Sequence, residues 1–203
     1  MKHSIPELIQ IVYSYFPRGM QGDEPSYKET PEYSHRIAAR TKASSRFRDW
    51  CAMLDRLQAR FPDGLRDVGV QNGSPFLASP GASTLDRCFS GALWLPARES
   101  EESYHELELF VSFVVPYYFV VSSWMMPLAQ PIGRITKEPK LSFDFTPDEA
   151  PFVAAIEEEI AITFPGFEPM PASIGNTIVP DVKGGGNLYG ESTIYGCLFS
   201  DKW

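Results

Sequence analysis

The chain has 203 residues, of which 43% are hydrophobic and 13% aromatic, and its formal net charge is −8. This length and apolar content suit one globular domain. The chain is too short to make two ordinary domains. Intrinsic disorder is not expected either, because so much aromatic surface can offset the entropy lost on ordering. We therefore expect a single α+β domain that covers residues 1–203.

Capping residues and apolar periodicity predict four helices, over about residues 6–16, 30–43, 44–62 and 148–164. The first begins after Ser4, and Ser4 and Glu7 have the spacing of a capping box. The third has the clearest pattern, because Phe47, Trp50 and Leu54 belong to an apolar stripe of helical spacing. The stripe predicts that this helix packs on a sheet.

Strands are predicted where β-branched and aromatic residues are frequent, in the segments CFSGALWL, SYHELELFVSF, YYFVVSSW, KLSFDF, TIVPDV and STIYGCLF. Most of these segments follow one another through short polar turns, which is typical of antiparallel pairing. The expected fold is a mainly antiparallel sheet of about six strands, packed against the N-terminal helices and one later helix.

The longest apolar stretch, Leu107–Met126, has about the length of a membrane-spanning helix. Glu108 and Pro116 do not suit such a helix, and the valine, phenylalanine and tyrosine content favours two hairpin strands. The N-terminal segment MKHSIPELIQ has a proline and a glutamate where a signal peptide has a continuous apolar core. We therefore expect a cytoplasmic protein that does not bind membranes.

The segment KGGGNLYGES, residues 183–192, resembles a nucleotide-binding loop at first sight. Its GxGxxxG spacing is one residue longer than the dinucleotide fingerprint, which also needs a following helix to hold the pyrophosphate. The next segment, STIYGCLF, is predicted to be a strand. The pattern therefore favours a mobile turn between the last two strands, and we expect no cofactor.

No spacing typical of a metal site or of a catalytic motif occurs in the chain. Cys51, Cys88 and Cys197 lack CxxC spacing, so we expect buried thiols rather than disulfides or zinc ligands. His105 belongs to a predicted strand, where we expect its ring at the sheet surface. The G-x-S-x-G motif of serine hydrolases is absent, and a Cys–His pair would have no local signature. We predict no enzyme activity, but an unrecognised enzyme with residues gathered around His105 remains an alternative.

Charge is divided unevenly along the chain. Residues 1–98 have 13 Lys and Arg against 10 Asp and Glu, whereas residues 99–203 have 5 against 16. Two windows, 99–133 and 141–182, contain no Lys or Arg at all, and the second includes three consecutive glutamates on the side of the fourth helix that we expect to be exposed. Such a surface repels phosphate backbones and attracts basic proteins.

The second and third predicted helices are basic instead, with Arg36, Arg40, Lys42, Arg46, Arg48, Arg56 and Arg60. A row of this kind suits nucleic-acid binding, a solvated helical face, or ion pairs with the acidic half. We expect no nucleic-acid partner, because the net charge is strongly negative.

The tail GESTIYGCLFSDKW and the VPDV segment before it resemble C-terminal segments of immunity proteins from bacterial polymorphic-toxin and contact-dependent inhibition systems. They are similar in particular to the immunity protein 52 family, which is linked to nuclease toxins of the restriction-endonuclease type. The resemblance implies an inhibitor that binds its own toxin and blocks the active site or substrate surface. A scaffold protein that binds another partner through its aromatic sheet is the third alternative.

An acidic face could occupy the basic substrate groove of such a toxin as a phosphate mimic. We therefore expect the cognate toxin to be basic. The residues expected to bind it comprise acidic side chains and two aromatic anchors, namely Glu157, Glu158, Glu159, Glu99, Glu101, Glu102, Tyr189 and Trp203.

Overall fold

The computed structural model describes residues 2–22, 24–61, 68–70, 87–95, 104–125, 140–183 and 190–199. Its helices are α1 (Ile5–Tyr13), α2 (Pro31–Ser44), α3 (Phe47–Arg60), α4 (Ala150–Thr163), α5 (Ala172–Gly175) and α6 (Ile194–Leu198), with a short 3-10 helix at Pro25–Glu29. Its strands are β1 (Val68–Val70), β2 (Cys88–Leu95), β3 (Tyr104–Ser112), β4 (Tyr117–Met125), β5 (Lys140–Ser142) and β6 (Glu168–Pro169). The predicted α+β class is confirmed.

The four long helices form where the sequence predicts them. Ser4 and Glu7 make the expected capping box at the start of α1, and the Thr30 hydroxyl accepts a hydrogen bond from the Tyr33 N–H at the start of α2. Helix α3 begins after Arg46 rather than after a serine cap. Its apolar stripe lies against the sheet, as expected.

The sheet is mixed, because one short parallel pairing adds to the antiparallel pairings that the sequence predicts. Strands β1 to β5 pair in chain order and antiparallel, and β6 adds to β4 in parallel at Tyr117 and Tyr118. Two short strands, β1 and β6, were not predicted from the sequence. The predicted hairpin is β3 and β4, in which Leu109 pairs with Val120.

Both faces of the sheet are covered, because side chains of alternate residues lie on opposite faces. On one face, Leu107 and Leu109 pack against α3 and α4. Trp50 of α3 stacks on Phe89 of β2 on this face, with ring centroids 5.3 Å apart. On the other face, Phe110 packs with α1 and the C-terminal segment. Burial on two sides explains why β4 and the second half of β3, from Leu109 onward, are nearly continuous apolar runs.

The C-terminal segment contradicts the sequence prediction. STIYGCLF is predicted to be a strand but contains α6, whose first turn is capped by the Thr193 hydroxyl on the Gly196 N–H. TIVPDV contributes only an isolated bridge, Ile178 to Thr193. Residues 194–199 are all buried, so tertiary packing around the whole segment outweighs its local β propensity.

The glycines predicted to form a turn, residues 184–186, lie outside the described residues. The sequence predicts a strand after these glycines, and this prediction is wrong because helix α6 follows instead. Helix α6 has only five residues, all buried, so it gives no support to a nucleotide cradle.

Two further expectations from the sequence concern the burial of the cysteines and the absence of a membrane-spanning helix. Cys88 and Cys197 are buried, Cys51 is half-buried, and the three sulfur atoms form no disulfide with one another. Among the described helices none is both long and apolar enough to cross a bilayer.

Candidate functional site

The three consecutive glutamates of α4 have three different environments. Glu158 is exposed and pairs with Arg60 of α3 at 2.6 Å. Glu159 is 8% exposed and pairs with Arg56 at 2.7 Å, so the expectation of a fully exposed run is wrong at this position. Glu157 is exposed. Neighbouring residues on a helix are about 100° apart, which places Glu159 towards α3 and Glu157 on the opposite flank.

Several arginines of α2 and α3 are used inside the fold. Arg56 and Arg60 form the two ion pairs with α4, which matches the pairing alternative for the basic helices. Arg36 and Arg40 are buried. The Arg36 guanidinium lies over the Phe16 ring at 5.0 Å, and burial lowers its pKa. Arg36 and Arg40 therefore do not belong to a solvated basic face, and the exposed Arg56 and Arg60 have their charges paired with α4.

Glu157 is the one member of the acidic run whose charge is not neutralised within the described residues. No Lys, Arg or His of the described part of the chain lies within ion-pair distance of its carboxylate. The carboxylate lies close to the Tyr118 phenol. Burial, together with the Glu157 charge, raises the pKa of Tyr118 to about 12. The phenol therefore stays neutral at pH 7, and within the described part of the chain no cation competes for Glu157.

A cleft of about 180 Å³ opens beside Glu157. The described residues that line it come from β4, the loop after β5, α4, and the segment from β6 to α5. They are mainly apolar and aromatic, comprising Tyr118, Phe119, Val120, Phe143, Phe145, Val153, Glu157, Pro169, Met170 and Ala172. Among these described residues, Glu157 alone carries a charge at pH 7. A cavity of about 150 Å³ holds one benzene molecule, whereas ligand pockets of enzymes are typically 300–1,000 Å³. The cleft therefore suits one side chain or ring.

The cleft exists because the outer edge of β4 is only partly paired. Strand β6 pairs with β4 at Tyr117 and Tyr118, and β5 begins to pair with it at Ser122. The Tyr118 carbonyl accepts the Met170 N–H on this edge, and alternate residues direct their backbone groups to the same side. The N–H and C=O of Val120 therefore face the gap. The described residues form no backbone hydrogen bond with Val120 there.

A second polar group lies around His105, away from the cleft. The His105 ring stacks on Trp124 with centroids 3.6 Å apart, and its Nε2 lies 2.7 Å from Glu149 Oε1 and 3.2 Å from Ser122 Oγ. The side chain is only 11% exposed, so the expectation of a ring at the sheet surface is wrong. Packing beneath the N-terminus of α4 accounts for the burial.

The same geometry argues against a serine–histidine relay. Burial raises the pKa of Glu149, whereas hydrogen bonds from Ser122, Thr146 and His105 lower it. The hydrogen bonds together have the larger effect, so the pKa of Glu149 lies below its ordinary value. An ionised Glu149 requires the His105 Nε2 to carry a proton and donate it. Since Nε2 already carries a proton, it cannot accept one from Ser122. In a catalytic relay, one ring nitrogen accepts the serine proton and the other donates to the carboxylate. The group acts as a link between β3 and the start of α4.

The structure locates only part of the predicted binding set. Glu157, Glu158 and Glu159 are placed as above, whereas Glu99, Glu101, Glu102, Tyr189 and Trp203 lie outside the described residues. The aromatic lining of the cleft was not predicted from the sequence. The segment KLSFDF contained a signal, because its two phenylalanines, Phe143 and Phe145, come directly after the three residues of β5 and both line the cleft. In the described segments no group of three or more His, Cys, Asp or Glu could hold a metal ion.

Comparisons with known proteins add no relative. No protein-family model matches the chain, and neither curated protein sequences nor solved structures gave a match. The resemblance to immunity proteins therefore stays a prediction from the sequence, and the function has to be argued from the geometry around Glu157.

Proposed function

We propose that this chain is an immunity protein that binds a cognate, basic bacterial toxin and neutralises it through the acidic flank of α4 at Glu157. The observation that supports this proposal best is the exposed Glu157 carboxylate, which lacks an ion-pair partner in the described residues and lies at the rim of an apolar cleft. An uncompensated charge beside an apolar pocket combines the two features of a binding hot spot, a charged contact and a well-packed anchor.

The charge distribution gives the proposal its physical basis. Residues 99–203 have 16 acidic against 5 basic residues, so the second half attracts a cationic surface over several ångströms. Long-range attraction of this kind speeds association, while the close contact at Glu157 slows dissociation. A nuclease toxin with a basic substrate groove is the partner that the sequence resemblance implies.

The internal ion pairs narrow the binding surface. Glu158 and Glu159 already pair with Arg60 and Arg56, so a partner cation would have to displace these arginines to reach them. Glu157 has no such competing cation among the residues that the structure describes. The proposed contact is therefore centred on Glu157, with Glu158 at its margin and Glu159 serving the fold.

A growth-rescue experiment tests the proposal. The protein encoded by the reading frame next to this chain's gene is expressed in a bacterial host from an inducible promoter, with and without the chain. We expect the neighbour to arrest growth, the chain to restore it, and the two proteins to copurify in a defined ratio. Arrest that the folded chain does not relieve, or rescue without a complex, would contradict direct neutralisation.

A further inference from the structure

We propose that the cleft beside Glu157 is a socket for a single arginine side chain of the protein partner. This inference deepens the proposed function, on which it rests, by naming the chemical group that enters the site. It follows from three properties of the cleft, namely its size, its aromatic walls and the position of the Glu157 charge.

The size of the cleft restricts the occupant to one side chain. Its volume of about 180 Å³ slightly exceeds the roughly 150 Å³ of a cavity that binds benzene. A cofactor or a folded segment of a partner would need considerably more space. A single long side chain that enters from the rim fits.

The walls of the cleft suit a cation with an apolar stem. The lining includes the rings of Tyr118, Phe119, Phe143 and Phe145, and Val153 and Met170 add aliphatic surface. Aromatic faces attract a guanidinium through their quadrupole, and the methylene stem of arginine covers apolar surface while its head stays polar. Glu157, at the rim, supplies the opposite charge.

The hydrogen-bonding groups of the cleft also match arginine. A guanidinium has five N–H donors and no acceptor. The acceptors at the cleft include the Glu157 carboxylate and the Val120 carbonyl, which faces the gap between β5 and β6. A lysine ammonium is more strongly hydrated and does not stack on rings, so arginine is the better fit. A purely apolar side chain would leave the Glu157 charge and the Val120 carbonyl without partners.

An NMR titration of the whole ¹⁵N-labelled chain tests the inference without the toxin. The probes are Nα-acetyl-arginine amide, the corresponding lysine compound and the corresponding norleucine compound. We expect saturable shifts of the amide signals of Val120, Val153 and Glu157 with the arginine probe. Its affinity should be about fivefold higher than that of norleucine, because one cation–aromatic contact and one exposed ion pair each contribute modestly.

The matched variants are Glu157→Gln and Glu158→Gln, which remove one negative charge from adjacent positions of one helix. Glu157→Gln should weaken the arginine probe about threefold or more, and Glu158→Gln should leave it unchanged. Shifts away from the cleft, equal or tighter binding of the norleucine probe, or no saturation at tens of millimolar would overturn the socket. Failure here with successful growth rescue would contradict the socket alone, whereas failed rescue with intact arginine binding would contradict the immunity function.

Discussion

Gly175→Ala is expected to lower the free energy of unfolding by about 2 kcal/mol, since a methyl group has no room at this position. A Cβ built at Gly175 would lie 2.2 Å from two ring atoms of Tyr195. The ring cannot easily move, because Tyr195 is fully buried and its hydroxyl donates to the Met170 carbonyl at 2.9 Å. The higher helix propensity of alanine, worth about 1 kcal/mol, offsets the clash only in part.

Urea unfolding followed by tryptophan fluorescence measures this change. Gly22→Ala is the matched control, because apart from its two chain neighbours no atom of the described residues lies within 4 Å of a Cβ at that site. We expect the control to stay within about 0.5 kcal/mol of the parent protein. Equal unfolding midpoints for the two variants would contradict the close packing of α5 against α6.

Glu159→Lys is expected to destabilise the fold by about 2 kcal/mol or more, whereas Glu157→Lys should be nearly neutral. The Glu159 side chain is 10% exposed and pairs with Arg56, which is 45% exposed. Lysine at this position would place two cations together where solvent screens them poorly, and removal of one member of a buried pair typically costs about 3–5 kcal/mol. The exposure of Arg56 reduces that figure.

Thermal and urea unfolding of both variants, at low and high salt, measure the difference. Glu157→Lys makes the same charge change two residues away on an exposed flank, so it controls for net charge. Comparable losses for the two variants would show that the glutamates of α4 do not differ as the ion pairs imply.

The contrast between Glu157 and Glu159 shows how far the sequence could predict the site. The acidic run and its helix are visible from local pattern, because Val153, Ile156 and Ile160 set the inward face. The partner of Glu159 is Arg56, 103 residues earlier in the chain. Only the packing of α3 on α4 brings them together, and this packing angle has no local signal.

The fold was predictable where local and tertiary preferences agree. The capping box at Ser4, the apolar stripe of α3 and the β3–β4 hairpin are all visible in the sequence. The prediction failed at residues 194–198, because β-branched and aromatic residues also suit a fully buried helix that packs against Gly175. It also missed β6, since two residues have no periodicity.

The cleft is a third feature of the structure that the sequence could not predict. It lies between the end of β6 pairing at Tyr118 and the start of β5 pairing at Ser122. The register of two short strands on one edge of β4 depends on loops rather than on alternation, so the sequence alone gives no indication of a gap.

The central claim is that Glu157, rather than the acidic character of the chain as a whole, makes the contact with the partner. The most direct test measures association and dissociation rates between the neighbour-encoded toxin, in an inactivated form, and the Glu157→Gln and Glu158→Gln variants. Both variants lose one negative charge, so general electrostatic steering falls equally. We predict that Glu157→Gln weakens binding about tenfold, mainly through faster dissociation, and that Glu158→Gln stays within about twofold of the parent. Equal losses in the two variants would contradict the claim.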